Sequence, residues 1–285
     1  MNQLVRSLEI EDLTILPMTP TIGAEVEGID LSRPLDARTV SALRRALLDW
    51  KVLFFRDQDI TTEQHLAFAR NFGDLEVHPF APQKPGYPEV LAITHDANSR
   101  GKENTWHSDV TWRLEPSLGS ILRALEIPPV GGDTLFADMY AAYDGLKDEV
   151  KAKLEGKVAV HDFVNFRKGM RKRGVSEEEI AAFDRQYPKV EHPVIRTHPE
   201  TGRKAIYVNA GFTQHIVGME KAESDALLAH LYAQAAIPEY QCRFRWTPNA
   251  IAFWDNRASQ HYAASDYFPA VRRMERVTVV GDRPY

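Results

Sequence analysis

Three side chains in this 285-residue sequence have the types and spacing to share a metal ion: His107 and Asp109 in TWHSDVTW, and His261 in WDNRASQHYA. The first segment is rich in β-branched and aromatic residues and reads as an extended strand, on which residues two apart point to one face. An imidazole nitrogen and a carboxylate oxygen can therefore reach the same ion. His261, after the strand-like AIAFWD and the turn NRAS, supplies a third donor. Two histidines and one carboxylate on one side of a metal leave three positions open, which suits iron(II) binding a bidentate co-substrate and O2. Taken alone, the H-x-D pair reads more simply as a structural histidine beside a surface aspartate, in a chain with 10 histidines.

The segment VRRMERVTVV adds weight to the metal reading. Strand alternation puts Arg272, Met274, Arg276 and Thr278 on one face and Arg273, Glu275, Val277 and Val279 on the other. Two guanidinium groups on one face need anions, because a buried unpaired charge is very costly. Either Asp or Glu at the surface neutralises them, or they receive two ligand anions, one from a co-substrate carboxylate and one from a substrate. The planar fork of arginine suits the second role.

The elements that must position these residues are mostly short strands. Ile22 to Ile29 reads as strands and turns, 36–50 as a helix capped by Asp36 with Val40, Leu43, Leu47 and Trp50 inward, and Lys51–Arg56 as a buried strand. Thr61–Asn71 reads as a helix with a Thr61/Gln64 capping box, ending near Gly73. Strands are expected at Glu89–Thr94, Gly119–Leu125, Asp133–Ala137, Pro193–Thr197, Lys204–Val208, Arg243–Trp246, Ala250–Trp254 and Met274–Val280, with helices near 141–154 and 220–235. This pattern predicts a mostly β fold, a barrel or jelly roll with flanking helices, in a single domain over 1–285. The charge-dense segment 166–187 reads as a solvated helix and loop or as a mobile lid over a pocket.

Composition excludes several function classes. A net charge of −5 and a pI near 6.1 give no footprint for nucleic acid, and the basic run Arg167–Arg173 is followed at once by SEEE. The single Cys242 rules out an internal disulfide, a Cys-rich zinc site or an iron–sulfur cluster. The start MNQLVRSLEIEDL lacks a signal peptide's apolar core, and no apolar run is long enough to span a bilayer. A cytoplasmic protein with no membrane partner is expected.

The blocks WHSDVTW, GGDTLFAD, RTHPETGRKAIYVN, WDNRASQHYA and DYFPAVRRMERVTVVGD resemble those of the taurine dioxygenase (TauD/TfdA) family of iron(II)/2-oxoglutarate dioxygenases, over nearly the whole chain. H-x-D, GGDT and H-x10-R in this order carry the resemblance. It implies a double-stranded β-helix (jelly roll, cupin-like), Fe(2+) on His107, Asp109 and His261, and 2-oxoglutarate and O2 as co-substrates. It further implies that Thr134 and Arg272 bind the distal carboxylate of 2-oxoglutarate, and that His78, Arg276, Phe212, Val110 and Glu103 contact a small anionic organic substrate. A sulfonate such as taurine would yield sulfite and aminoacetaldehyde beside succinate and CO2; an alkyl sulfate ester or a phenoxy or carboxylic acid would undergo the same chemistry. Where relatives hold the taurine amine with polar residues, this chain has Lys102, Glu103 and Ala81. A homo-oligomer, dimer or tetramer, fits the same resemblance.

His192, His198 and Cys242 read as structural, and His161 as structural or near the pocket. Gly131-Gly132 reads as a tight turn, Asp255 and Asn256 as residues ordering the approach to His261, and Trp106, Trp112 and Trp254 as packing. Two other functions remain compatible with the ligand set: a zinc hydrolase and a non-catalytic, anion-binding jelly roll.

Overall fold

The computed structural model describes the backbone of residues 8–10 and all of 13–79 and 81–285, so most of the N-terminal segment read above lies outside the described residues. The chain opens with strands β1 (Leu8–Ile10), β2 (Leu13–Pro17) and β3 (Ala24–Glu27). Helix α1 (Ala37–Trp50) follows, capped as expected by Asp36, whose carboxylate accepts the Thr39 N–H at 2.8 Å. Lys51 ends it in the left-handed region (φ 61°), so the predicted strand begins one residue later as β4 (Val52–Phe55). Helix α2 (Thr62–Arg70) carries the Thr61/Gln64 capping box.

Next come β5 (Gln83–Lys84), β6 (Tyr87–His95), β7 (Gly119–Glu126) and β8 (Thr134–Asp138). The helix expected near 141–154 is two helices, α3 (Met139–Asp144) and α4 (Asp148–Leu154). The break falls at Gly145, where a Cβ would lie 2.1 Å from the Tyr240 hydroxyl, so a glycine is needed there. After β9 (Val158–His161), the charged segment forms a helical hairpin, α5 (Val164–Lys172) and α6 (Glu177–Gln186), with α6 started by a Ser176/Glu179 capping box.

The predicted strand 193–197 is divided between β10 (Val190–Pro193) and β11 (Ile195–Thr197), because Val194 donates to Lys157 outside both ladders. The remaining elements are β12 (Lys204–Ile206), β13 (Thr213–Ile216), α7 (Lys221–Gln234), β14 (Gln241–Phe244), β15 (Ile251–Asp255), β16 (Ser259–Ala263) and β17 (Arg272–Val279).

The strands pair into a nine-stranded sheet, β1-β2-β3-β4-β15-β7-β17-β6-β5, and smaller sheets β14-β8-β16, β10-β9-β13 and β11-β12. The four buried residues of β4 show why the large sheet has two covered faces. Val52 and Phe54 point to one side, where Phe54 stacks on Phe244 of β14 (4.0 Å between centroids) and meets Phe136 of β8 edge-on. Leu53 and Phe55 point to the other, where α1 and α2 bring Leu43, Leu47, Leu66 and Phe68. The β14-β8-β16 sheet thus packs face to face on the large sheet while helices cover its back. Strand β17 lies between β7 and β6, so the face bearing Arg272 and Arg276 turns toward the small sheet and Val277 and Val279 enter the helix-side core. Among the described residues, no helix is long and apolar enough to cross a membrane.

Several histidines are buried as neutral rings. Burial, with Arg123 nearby, pushes His65 down to about 3, and its Nε2 sits 3.2 Å from the Ile121 carbonyl; burial pushes His192 down to about 4. From an ordinary value of 6.5, the unfolded chain takes up protons that these folded rings refuse. Their stabilisation is therefore fully present above about pH 6.5 and is lost as pH falls toward the folded values, at about 2 kcal/mol per ring by pH 5. Urea unfolding at pH 7.5 and pH 5 should show this drop; equal free energies at the two pH values would mean that the rings are protonated in the fold.

Candidate metal centre and anion receptors

His107 does not lie on a continuous strand. It makes a single bridge to His261 of β16, with backbone N–H groups donating in both directions at 3.1 and 2.8 Å, and the chain then turns through Asp109–Trp112. Val110, a β-branched residue at φ 48°, makes that turn, and the Arg113 N–H closes it onto the Val110 carbonyl at 2.9 Å. A β-branched residue in the left-handed region is strained, and such strain persists where surrounding structure enforces it. Here it carries the chain sharply away after the donors His107 and Asp109.

The three donor atoms lie within 4.8 Å of one another. Asp109 Oδ1 faces both rings, 3.8 Å from His107 Nε2 and 3.9 Å from His261 Nε2. His107 Nδ1 lies 2.7 Å from the Thr105 carbonyl, which places its proton there and leaves Nε2 with a lone pair for a metal. Burial pushes His261 down to about 3, with His107 adding to the effect and Asp109 opposing it, so its ring is neutral at physiological pH. Burial would raise the Asp109 carboxyl, but Arg276, His261 and His107 hold it well below the usual carboxylate range. A neutral His261 ring, a His107 ring turned by Thr105 to present Nε2, and an ionised carboxylate suit a divalent metal, and the donor set fits iron(II).

Further groups fix Asp109. Ser120 of β7 donates to Oδ2 at 2.7 Å, and Arg276 donates to Oδ1 at 2.7 Å. The Asn256 side chain accepts the Asp109 N–H at 3.1 Å and donates to Ser117 and Ser120 at 3.0 and 3.1 Å. Asn256 therefore orders Asp109 rather than the approach to His261. Ser120 was not singled out from the sequence, although a small polar residue inside the apolar run SILRAL is the signal that marks it. Asp255 faces elsewhere, paired with Arg257 at 2.7 Å and His198 at 3.1 Å.

Arg272 is 5% exposed, yet its Nε and Nη2 have no hydrogen-bond partner, and among the described residues no carboxylate lies within ion-pair distance. The rings of Trp246 and Tyr267 lie 5.9 Å from its guanidinium carbon. Burial lowers its basicity, with Tyr267 and Glu103 opposing. Gly132, at φ 75°, backs onto it: a Cβ there would sit 3.3 Å from both Arg272 Cδ and Tyr267 Cδ1, so the glycine turn of GGDT also makes room for the arginine. Thr134 Oγ1 accepts the Trp246 indole N–H at 2.9 Å, leaving its own hydroxyl proton available.

His78 is buried, and its Nδ1 accepts the Ala81 N–H at 3.1 Å, so a neutral ring carries its proton on Nε2. Burial, then Arg276 and Arg113, push this imidazole down to about 3. Phe212 lies edge-on to His107 and parallel to Phe166 of α5. Val110, Trp112, Phe163 and Phe212 form a cluster against which Phe166, Phe183 and Tyr187 of the hairpin segment pack. Glu103 stands apart, its Oε2 3.3 Å from His95 Nε2 and accepting the Lys102 N–H at 2.9 Å. His161 bonds Thr111 and Thr213 and stacks on Tyr207 behind the 109–112 turn, His192 meets the Arg113 carbonyl at 2.8 Å, and Cys242 is a core residue. Trp254 packs 4.8 Å from the His261 ring, and Trp106 packs on Tyr262.

Residues 14–278 match the model of the family described as taurine catabolism dioxygenase TauD, TfdA. The chain is 36% identical to an alkylsulfatase of Acinetobacter baylyi, over 95% of this chain and 86% of that protein. It is 35% identical to an alpha-ketoglutarate-dependent sulfate ester dioxygenase of Pseudomonas putida, over 96% and 91%. Its fold matches a crystal structure of a putative alpha-ketoglutarate-dependent taurine dioxygenase from Burkholderia xenovorans, with a TM-score of 0.83, 38% identity and coverage of 95% and 94%.

Removing a buried, unpaired cation relieves a desolvation cost. Arg272→Met, which keeps an apolar stem between Trp246 and Tyr267, should leave the ligand-free protein as stable as the parent or more so. A loss of more than about 1 kcal/mol in urea unfolding would show that the guanidinium is paired in solution.

Proposed function

The chain belongs to the TauD, TfdA family and is a 2-oxoglutarate-dependent dioxygenase, and on that premise we propose that it uses iron(II), held by His107, Asp109 and His261, to hydroxylate a C–H bond of a small organic anion. The observation that carries the proposal is Arg272, a buried guanidinium on the same face of β17 as Arg276, with no carboxylate within ion-pair distance among the described residues. The distal carboxylate of 2-oxoglutarate supplies one in bidentate fashion, with the Thr134 hydroxyl donating to it. Iron(II), when bound, supplies the O2 chemistry that couples decarboxylation of 2-oxoglutarate to succinate and CO2 with oxidation of the substrate.

The protein's own contribution is orientation. His78 offers Nε2–H and Arg276 offers its guanidinium to the substrate's anionic head, while Val110 and Phe212 bound the path toward the metal. The leading substrate class is a sulfonate such as taurine, released as sulfite and aminoacetaldehyde. The aromatic wall of Phe166, Phe212 and Trp112, the small Ala81, and the engagement of Glu103 by His95 favour a second reading, an alkyl sulfate ester or phenoxy acid with an apolar tail. We take the stacked sheets as the double-stranded β-helix of a single catalytic domain, with 166–187 as its lid.

The test is succinate and sulfite release from anaerobically reconstituted iron(II) protein on adding O2 with sulfonates, sulfate esters and phenoxy acids. His107→Ala and Asp109→Ala should abolish turnover, and near-normal succinate formation in either would remove the metal assignment. Arg272→Ala should raise the KM for 2-oxoglutarate at least about tenfold while changing the substrate KM much less. Equal effects on both would mean that the two arginines are misassigned.

A further inference from the structure

We propose that Glu76 limits the substrate's anionic head to a single negative charge, an inference that rests on the reading of His78 and Arg276 as its receptor. The segment 74–78 runs antiparallel to the end of β17: Leu75 pairs with Val279, the Glu76 N–H donates to the Thr278 carbonyl at 2.9 Å, and the Val280 N–H donates to the Asp74 carbonyl at 2.8 Å. Opposed residues share a face, so Glu76 lies on the face of Thr278 and Arg276, and His78, two residues on, shares it. Glu76 is 6% exposed, and its Oε1 lies 3.3 Å from Arg113 Nη2. Arg113 follows Asp109 by one turn of chain, and its guanidinium sits against the rings of Trp112 and Tyr187 at 5.3 and 5.7 Å. Burial, with a smaller push from Asp109, raises the Glu76 carboxyl above its ordinary value against the opposing pull of Arg113 and Arg276, and the ion pair to Arg113 is the contact that holds its charge.

Glu76 is buried and Arg113 half-buried, and such a pair adds little stability because desolvation consumes most of the attraction. Its effect here is on the charge available to a ligand. Each guanidinium at this end has one carboxylate: Arg276 has Asp109 at 2.7 Å, and Arg113 has Glu76. The two charges of a divalent metal would offset Asp109 and one carboxylate of bound 2-oxoglutarate, leaving Arg276 one positive charge to offer. Arg113 stays neutralised by Glu76. A sulfonate, sulfate monoester or carboxylate head matches this balance, whereas the second charge of a dianion meets Glu76, whose partner Arg113 is already matched.

Hexyl sulfate and hexyl phosphate test this directly, since a phosphate monoester with a second pKa of about 6 is a dianion at pH 7.5. Binding of each is measured calorimetrically, without O2, to the iron(II) protein loaded with 2-oxoglutarate. The parent should prefer the sulfate at least about tenfold, and Glu76→Gln should lose most of that preference through tighter binding of the phosphate. Adding Arg113→Gln should restore the preference by removing the freed cation, and Glu76→Asp, which keeps the charge, should retain it. A parent without preference, a Glu76→Gln variant that keeps it, or a Glu76→Asp variant that loses it equally would overturn the proposal. If the parent binds 2-oxoglutarate but neither ester, the receptor reading itself fails and the proposal with it.

Discussion

The site is organised by the need to keep one buried carboxylate ionised. Asp109 is 4% exposed, and burial alone would favour its neutral form. Arg276 of β17, Ser120 of β7 and the two imidazoles reverse that preference, and Asn256 holds the Asp109 backbone. These groups come from five places in the sequence, so a carboxylate fit to bind a metal exists only when β7, β16 and β17 are in register. The positive φ at Val110 is part of the same arrangement. Its strain is tolerable because Val110 and Trp112 are packed in the aromatic cluster beneath the α5–α6 hairpin.

The two arginines on one face of β17 have opposite surroundings. Arg276 is ion-paired with Asp109 Oδ1 at 2.7 Å, while its Nε has no hydrogen-bond partner. Arg272, four residues earlier, lies between Trp246 and Tyr267 and is left without an anion. A fold that buries a guanidinium without a paired carboxylate carries a desolvation cost. A side chain at Gly132 would press on Arg272 Cδ and Tyr267 Cδ1 at 3.3 Å, which gives the glycine of GGDT a role beyond its turn.

The hairpin of α5 and α6 joins the site from the side opposite the strands. Its outer surface is charged and internally paired, as in the Arg171–Glu177 contact at 2.7 Å. Its inner surface places Phe166 near His78 and Phe212, and brings up Tyr187 against Arg113. The segment 166–187 is thus helical, with a charged outer surface and an aromatic inner one.

The sequence alone determined the elements whose causes are local. Asp36 and Thr61 cap helices because a side-chain oxygen satisfies an N–H three residues away, and strand alternation placed Arg272 and Arg276 on one face. The block pattern also named His107, Asp109 and His261, which the fold brings within 4.8 Å. What only the tertiary structure decided were features set by contacts between distant segments. Position 145, where the 141–154 segment divides into two helices, must be glycine because Tyr240 occupies the space beside it, and His107 stands on an isolated bridge to His261. Arg276 is paired and Arg272 is not, Asn256 serves Asp109, and Glu103 turns to His95. A side chain's type states which partner it needs, whereas the pairing depends on which distant strand lies opposite, and that is settled only when the sheets close.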